Sequence, residues 1–149
     1  IPPLSQLIEY LRAQEIILTP DRTGGFDPTS ARWDQAAFTH GQDDTPITLQ
    51  CRRDEGTRHC MLREETGEFL HRIGRPGLSG SKRRVLRHLK DTKAIVACKL
   101  PPGTRDRQAL HVHLQILRFF TARCKGLLQI DGEGFYENDR LLLDMSRRK

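Results

Sequence analysis

Apolar residues recur every three or four positions in three stretches of the chain, which is the spacing of one face of a helix. The stretches cover residues 2–14, 81–93 and 106–125. The third carries two neighbouring apolar stripes, which predicts a long and heavily buried helix. The inward residues predicted by this pattern are Leu4, Leu7, Ile8 and Leu11 in the first helix, Val85, Leu86 and Leu89 in the second, and Leu110, Leu114, Leu117, Phe120 and Cys124 in the third, with Val112, Ile116 and Phe119 widening its stripe.

Strands are predicted where apolar and polar residues alternate. Two such stretches, within residues 46–64, flank the turn sequence DEGT, so we predict a hairpin there. In the predicted register Cys51 lies opposite Cys60. Leu49 lies opposite Leu62, and period-two alternation places all four side chains on one face. The other strands of this part of the chain are predicted at residues 33–40, 67–74 and 94–100.

The segment after the long helix is predicted to form another hairpin. Residues 127–137 and 140–145 each have the pattern of a strand, and Asn138 and Asp139 form the turn between them. The chain therefore ends in a strand–helix–strand–strand unit. Together with the earlier elements, this unit predicts a single α+β domain over residues 1–149, with a mainly antiparallel sheet and about three helices.

The positive charge of the chain is concentrated in one segment. The 149 residues carry a formal net charge of +6, whereas residues 71–93 contain eight Lys or Arg and one acidic residue, a net +7 that leaves −1 for the rest. A local concentration of charge is a more specific sign of a binding surface than a uniformly basic composition. The candidate binding residues on this surface are Arg72, Arg75, Lys82, Arg83, Arg84, Arg87 and Lys90.

A glycine-rich stretch, GRPGLSGSKRR, leads into these basic residues and raises the question of a phosphate-binding loop. Ser81 stands before Lys82, and Arg83 occupies the position at which a P-loop has a magnesium-binding hydroxyl. The match therefore fails. We predict instead that Ser79 or Ser81 caps the following helix and that the glycines let the chain turn.

The cysteines and histidines do not have the spacing of a metal site. Structural zinc sites use close pairs such as C-x-x-C, and the nearest approach here is Cys51 with His59 and Cys60. Neighbouring residues on a strand point to opposite faces, so His59 and Cys60 are not expected to share a metal. Cys98 in a strand and Cys124 on an apolar stripe are interpreted as structural. We therefore predict no metal and no cofactor.

An acidic stretch, DGEGFYEND at 131–139, is a candidate for catalytic chemistry. On a continuous strand Asp131, Glu133 and Glu137 would share one face, and paired carboxylates can act as general acid and base. The solvated side of an edge hairpin is the commoner meaning of such a pattern. Gly132 and Gly134 predict a bulge or a close approach of another backbone segment.

The C-terminal third of the chain, from Ala94 on, resembles the corresponding part of small uncharacterised bacterial α+β proteins. The resemblance is carried by GLLQIDGEGFYENDRLLL, preceded by a strand and a long helix. It implies a fold and, since it contains no catalytic signature, no particular reaction.

These observations favour a non-enzymatic binding or interaction domain whose basic surface meets an acidic protein partner. The first alternative is a nucleic-acid-binding protein that uses residues 72–93, because phosphates also attract clustered Arg and Lys. The second alternative is an enzyme that uses the 131–139 hairpin. No apolar run approaches the roughly 20 residues that span a bilayer, so no membrane association is expected. The widely spaced cysteines favour the cytoplasm.

Overall fold

The computed structural model describes residues 1–21, 27–41, 45–57 and 60–146, and it confirms the α+β class. The described residues form four helices and seven strands. The helices are α1 (Leu4–Arg12), α2 (Met61–Ile73), α3 (Gly80–Asp91) and α4 (Arg107–Cys124). The strands are β1 (Thr19–Pro20), β2 (Gln35–His40), β3 (Thr45–Arg53), β4 (Ala94–Lys99), β5 (Leu128–Ile130), β6 (Gly134–Glu137) and β7 (Arg140–Asp144).

The chain divides into two compact units. Unit 1 consists of Ile1–Cys51 and Val96–Cys124, and unit 2 consists of Arg52–Ile95 and Lys125–Lys149. Each unit contains its own cluster of buried apolar side chains. The expectation of one domain over residues 1–149 stays a prediction, because compactness alone does not show whether two units fold separately.

Most of the residues of a four-stranded sheet, in the order β1-β2-β3-β4, belong to unit 1. β2 pairs antiparallel with both β1 and β3. Ala36 lies opposite Leu49 and Phe38 opposite Ile47, and these four side chains are buried. The alternation that predicted strands at 33–40 and 46–53 therefore marks the sheet face that packs on the core.

The two helices of unit 1 pack on each other through aromatic side chains. The rings of Tyr10 on α1 and Phe119 on α4 lie 5.2 Å apart, and the ring of Trp33 lies 5.9 Å from that of Phe120. Asp106 caps α4, since its carboxylate accepts hydrogen bonds from the backbone N–H groups of the second and third residues of the helix. The predicted inward residues of α1 are confirmed in three of four cases, namely Leu4, Leu7 and Leu11.

The buried face of α4 differs from the main predicted stripe. Leu110 is 46% exposed, Cys124 is exposed, and Leu114 and Leu117 are only half-buried. The helix is rotated so that the second predicted stripe, Val112, Ile116 and Phe119, faces the core. Small or polar residues complete that face. Both stripes have helical spacing, so spacing alone could not choose between them. The buried residues are Ala109, Val112, Gln115, Ile116, Phe119 and Phe120.

The predicted hairpin of residues 46–64 is wrong. Residues 61–64 of the first predicted strand and residues 67–73 of the next one lie in a single helix, α2, and Cys60 precedes its first residue. Cys60 is the N-cap residue of α2 and not part of a strand, so the predicted strand pairing of Cys51 with Cys60 does not form. The buried residues Leu62, Thr66 and Ile73 recur at helical spacing. His59, considered above as a metal ligand, lies outside the described residues.

Unit 2 packs α2 and α3 with an antiparallel sheet in the order β5-β6-β7. The predicted turn between β6 and β7 is confirmed: Asn138 and Asp139 both have positive φ, at 47° and 62°, as the tight turn of a hairpin requires. The close backbone approach predicted at Gly134 is also confirmed. A Cβ atom there would stand 2.0 Å from the carbonyl oxygen of Leu143, so only glycine fits.

The two faces of α4 generate a stability prediction. Ile116→Ala is expected to lower the free energy of unfolding by about 2–5 kcal/mol, because it removes fully buried methylene and methyl groups and leaves a cavity. Leu110→Ala, on the exposed side of the same helix, is expected to cost less than about 1 kcal/mol. Urea unfolding followed by the fluorescence of Trp33, the single tryptophan and a member of the same core, measures both. Equal costs would show that the buried face has been assigned wrongly.

Candidate binding site on the basic face of α3

The glycine-rich stretch connects two helices. Gly74 ends α2 with a φ of 71°, and its N–H donates to the carbonyl oxygen of Leu70. Ser79 then caps α3, since its hydroxyl oxygen accepts a hydrogen bond of 3.3 Å from the backbone N–H of Lys82. The predicted serine cap is therefore confirmed, and Ser79 provides it.

The sequence of α3 divides the helix into an apolar and a basic side. Val85, Leu86 and Leu89 are buried in the core of unit 2, as predicted. Arg83, Arg87 and Lys90 follow one another at positions i, i+4 and i+7, which places them along one line of the helix surface. All three are exposed.

An apolar groove lies beside this line of cations. Its volume is about 390 Å³, and its exposed lining is almost wholly apolar. The stems of the three cations form one side of the groove, while their charged ends can extend into water. The groove is lined by Leu70 of α2, Gly74 and Pro76 of the connecting segment, and Arg83, Leu86, Arg87 and Lys90 of α3.

The other predicted binding residues do not belong to this groove. Arg84 forms an ion pair with Glu137 of β6, with 2.5 Å between Nη2 and Oε1, so its charge is already partnered. Arg72 and Lys82 line a second, smaller cavity of about 340 Å³. The guanidinium of Arg72 also lies 6.0 Å from the centre of the Phe69 ring. Arg75 is exposed and lines neither cavity.

The cations beside the groove have no anionic partner in the described part of the chain. Among the described residues, cations such as Arg52, Arg63, Arg84 and Lys93 form ion pairs, whereas Arg83, Arg87 and Lys90 form none. Three exposed positive charges within a few turns of one helix repel one another. A ligand with several negative charges would relieve this repulsion, which is why this face is the candidate site.

The acidic stretch does not form the predicted row of carboxylates. Asp131 and Glu133 lie in the turn between β5 and β6, not on a strand. The carboxylate of Glu133 accepts a 2.7 Å hydrogen bond from the hydroxyl of Tyr136, which raises the pKa of that phenol. Asp131 accepts one from the side-chain amide of Gln129. Asp131, Glu133 and Glu137 therefore each interact with another side chain of unit 2.

The four cysteines are free thiols. Burial raises the pKa of the Cys98 thiol to about 12, so this sulfur is a poor nucleophile at neutral pH. The ring Nε2 of His113 lies 3.0 Å from the carbonyl oxygen of Cys98. Cys124 is exposed, contrary to its predicted place on a buried stripe. The described residues contain no group of three His, Cys, Asp or Glu side chains placed to hold a metal ion.

The groove is the part of the site that sequence reasoning missed. Its floor needs Leu70, Pro76 and Leu86 to come together from two helices and their connection. The strand predicted at residues 67–74 does not bring Leu70 beside α3. The available signal was the helical spacing of Leu62, Thr66 and Ile73.

Comparison of the chain with protein families, curated proteins and solved structures finds no match. The resemblance of the C-terminal third to small bacterial proteins therefore stays a prediction. Among the described residues, no helix is both long enough and apolar enough to cross a membrane. The assignment of a function consequently depends on the geometry of the site alone.

His88, on α3, generates a prediction of pH dependence. Burial lowers its pKa below the ordinary value of 6.5, and the nearby Glu137 and Asp91 oppose this only in part. The unfolded chain therefore takes up a proton first as the pH falls below about 6.5. The free energy of unfolding should be insensitive to this histidine at higher pH and should fall as the pH drops from there to the lower pKa of the folded state.

His88→Gln should weaken this loss of stability on acidification. The free energy of unfolding is measured by urea denaturation of wild type and variant at about pH 7.5 and about pH 5.5. The loss between the two pH values is then compared between the two proteins. Other groups titrate in both proteins, so the difference between them isolates His88. An unchanged pH dependence would show that burial does not disfavour the charged imidazole.

Proposed function

We propose that this chain is a binding protein rather than an enzyme and that the basic face of α3 binds an acidic protein partner. The observation that carries the proposal is the set of three cations, Arg83, Arg87 and Lys90, that border an apolar groove without an ion pair among the described residues. Exposed charged side chains that form no ion pair within the protein, next to exposed apolar surface, are typical of a binding interface. The four cysteines are free thiols, which supports the cytoplasm as the setting.

The apolar lining of the groove favours a protein over a nucleic acid. A phosphate backbone would satisfy the cations but would leave the surface of Leu70, Pro76 and Leu86 in water. The groove lining contains no aromatic side chain on which an unpaired base could stack. A protein segment can offer carboxylates and apolar side chains together, so it matches both parts of the site.

The charges alone support only modest affinity. Exposed ion pairs typically contribute about 0.2–1 kcal/mol each, so three pairs contribute about 0.6–3 kcal/mol and weaken as salt is added. Positive charge also speeds the encounter with an acidic partner. Arg84 is expected to contribute less than its three neighbours, because Glu137 already neutralises it.

The test is a triple substitution, Arg83→Gln, Arg87→Gln and Lys90→Gln, with a short Glu-rich peptide as the probe. We expect the dissociation constant to rise by about tenfold at low salt, since three weak ion pairs are lost. The thermal midpoint should barely move, because these side chains are exposed. Fluorescence anisotropy of the labelled peptide over a range of salt concentrations measures the affinity.

A matched control removes three positive charges elsewhere. Arg32, Arg105 and Arg107 are all exposed and lie in unit 1, so changing them to Gln lowers the net charge equally. This control should bind the peptide almost as the wild type does. Equal loss in both triple variants would mean that only net charge matters, and tighter binding of a DNA duplex than of the peptide would contradict an acidic protein partner.

A further inference from the structure

The groove beside α3 combines an apolar floor with a row of cations along one edge. Leu70 comes from the last turns of α2, Pro76 from the connecting segment and Leu86 from α3, and together they present apolar surface. Leu86 is only 7% exposed and belongs to the core of unit 2, so its position is fixed by packing. The apolar floor therefore exists before any ligand arrives, which reduces the cost of ordering on binding.

The cations are spaced along one edge of this floor at intervals set by the helix. Arg83 and Arg87 are about 6 Å apart along the axis of α3, and Lys90 lies about 4.5 Å further on. The edge of positive charge is thus about 10 Å long. A ligand that matches it must carry several negative charges in a row, with apolar surface along one side.

We propose that the groove is the docking site for an acidic amphipathic helix of the partner. One large apolar side chain of that helix, such as Leu, enters the groove over Leu70 and Leu86. Carboxylates at positions i, i+4 and i+7 lie alongside the cations of α3, since a helix repeats its side chains at the same intervals. This inference rests on the proposed function and specifies the class of partner that the site takes.

Charge complementarity over the length of the groove favours this occupant. A small anionic amphiphile, such as a fatty acid, has one head group and would leave most of the row of cations unmatched. An acidic segment without an apolar residue would match the cations but would leave the groove lining exposed to water. The helix is the occupant that uses the two features together, as helix-in-groove complexes do.

The experiment compares two synthetic peptides that differ at one position. Both carry Glu at the three matching positions of a helix-forming sequence, and the central anchor is Leu in one and Gln in the other. We expect the Leu peptide to bind about tenfold more tightly, because its anchor leaves water for an apolar groove. Isothermal titration calorimetry with the intact chain measures both affinities.

Substitutions in the groove connect the anchor to its site. Leu70→Ala should reduce the advantage of the Leu peptide over the Gln peptide and should leave the affinity of the Gln peptide almost unchanged. Leu70 is half-buried, so circular dichroism must show that the variant is folded. Pro76→Ser, at an exposed position of the same lining, should have the same effect in smaller measure and decides the question if Leu70→Ala unfolds.

The possible outcomes separate the two proposals. If neither peptide binds, the proposed function fails. If both bind equally, or if the advantage of the Leu peptide persists in the groove variants, the binding of an acidic segment to the basic face of α3 stands and the docking of an anchor in the groove is overturned. Tighter binding of laurate than of the Leu peptide, or dimerisation of the chain that the Leu peptide cannot displace, would also overturn the helix as occupant.

Discussion

The burial of one side of α3 is the constraint on which the proposed site depends. Val85, Leu86 and Leu89 are held in a core with Ile73 and Phe135, and this fixes the rotation of the helix about its axis. Once that rotation is fixed, the charged residues of α3 must lie on the sides and outer face. The Ser79 cap fixes where the helix begins, so the positions of its cations follow from local interactions and core packing together.

The basic segment is less uniform in the structure than in the sequence. A net charge of +7 over residues 71–93 suggested one continuous surface. In the fold, Arg84 is used by an ion pair with Glu137, Arg72 and Lys82 border another cavity, and three cations border the groove. The charge concentration that a sequence shows is therefore an upper limit on the charge that any one ligand can meet.

Features determined by neighbours in sequence were predictable. The apolar stripe and cap of α3 and the turn at Asn138 and Asp139 each depend on a few adjacent residues, and the structure confirms them. The strands predicted within residues 57–74 are wrong because the apolar residues around Cys60 and Leu62 alternate over a short window, whereas the spacing that continues to Ile73 is helical. In a short window both periods fit the same apolar residues.

Features determined by distant residues were not predictable in the same way. The face of α4 that is buried depends on what α1 and the sheet present to it. Two of its buried residues, Ala109 and Gln115, do not indicate burial in the sequence, because one is small and the other is polar. The groove needs Leu70 and Leu86 from separate helices to meet. Its existence follows from packing, whereas the charges on its edge could be read directly from the chain.

Nuclear magnetic resonance tests the central claim most directly by locating the bound peptide. In a titration of the ¹⁵N-labelled chain with the Glu-rich peptide that carries a Leu anchor, the account predicts amide shift changes concentrated at the end of α2, around Leu70 and Gly74, and along α3 from Arg83 to Lys90. Unit 1 and the turn at Asp131 should show little change. Shift changes concentrated in unit 1 or around Asp131, with α3 unaffected, would contradict the account.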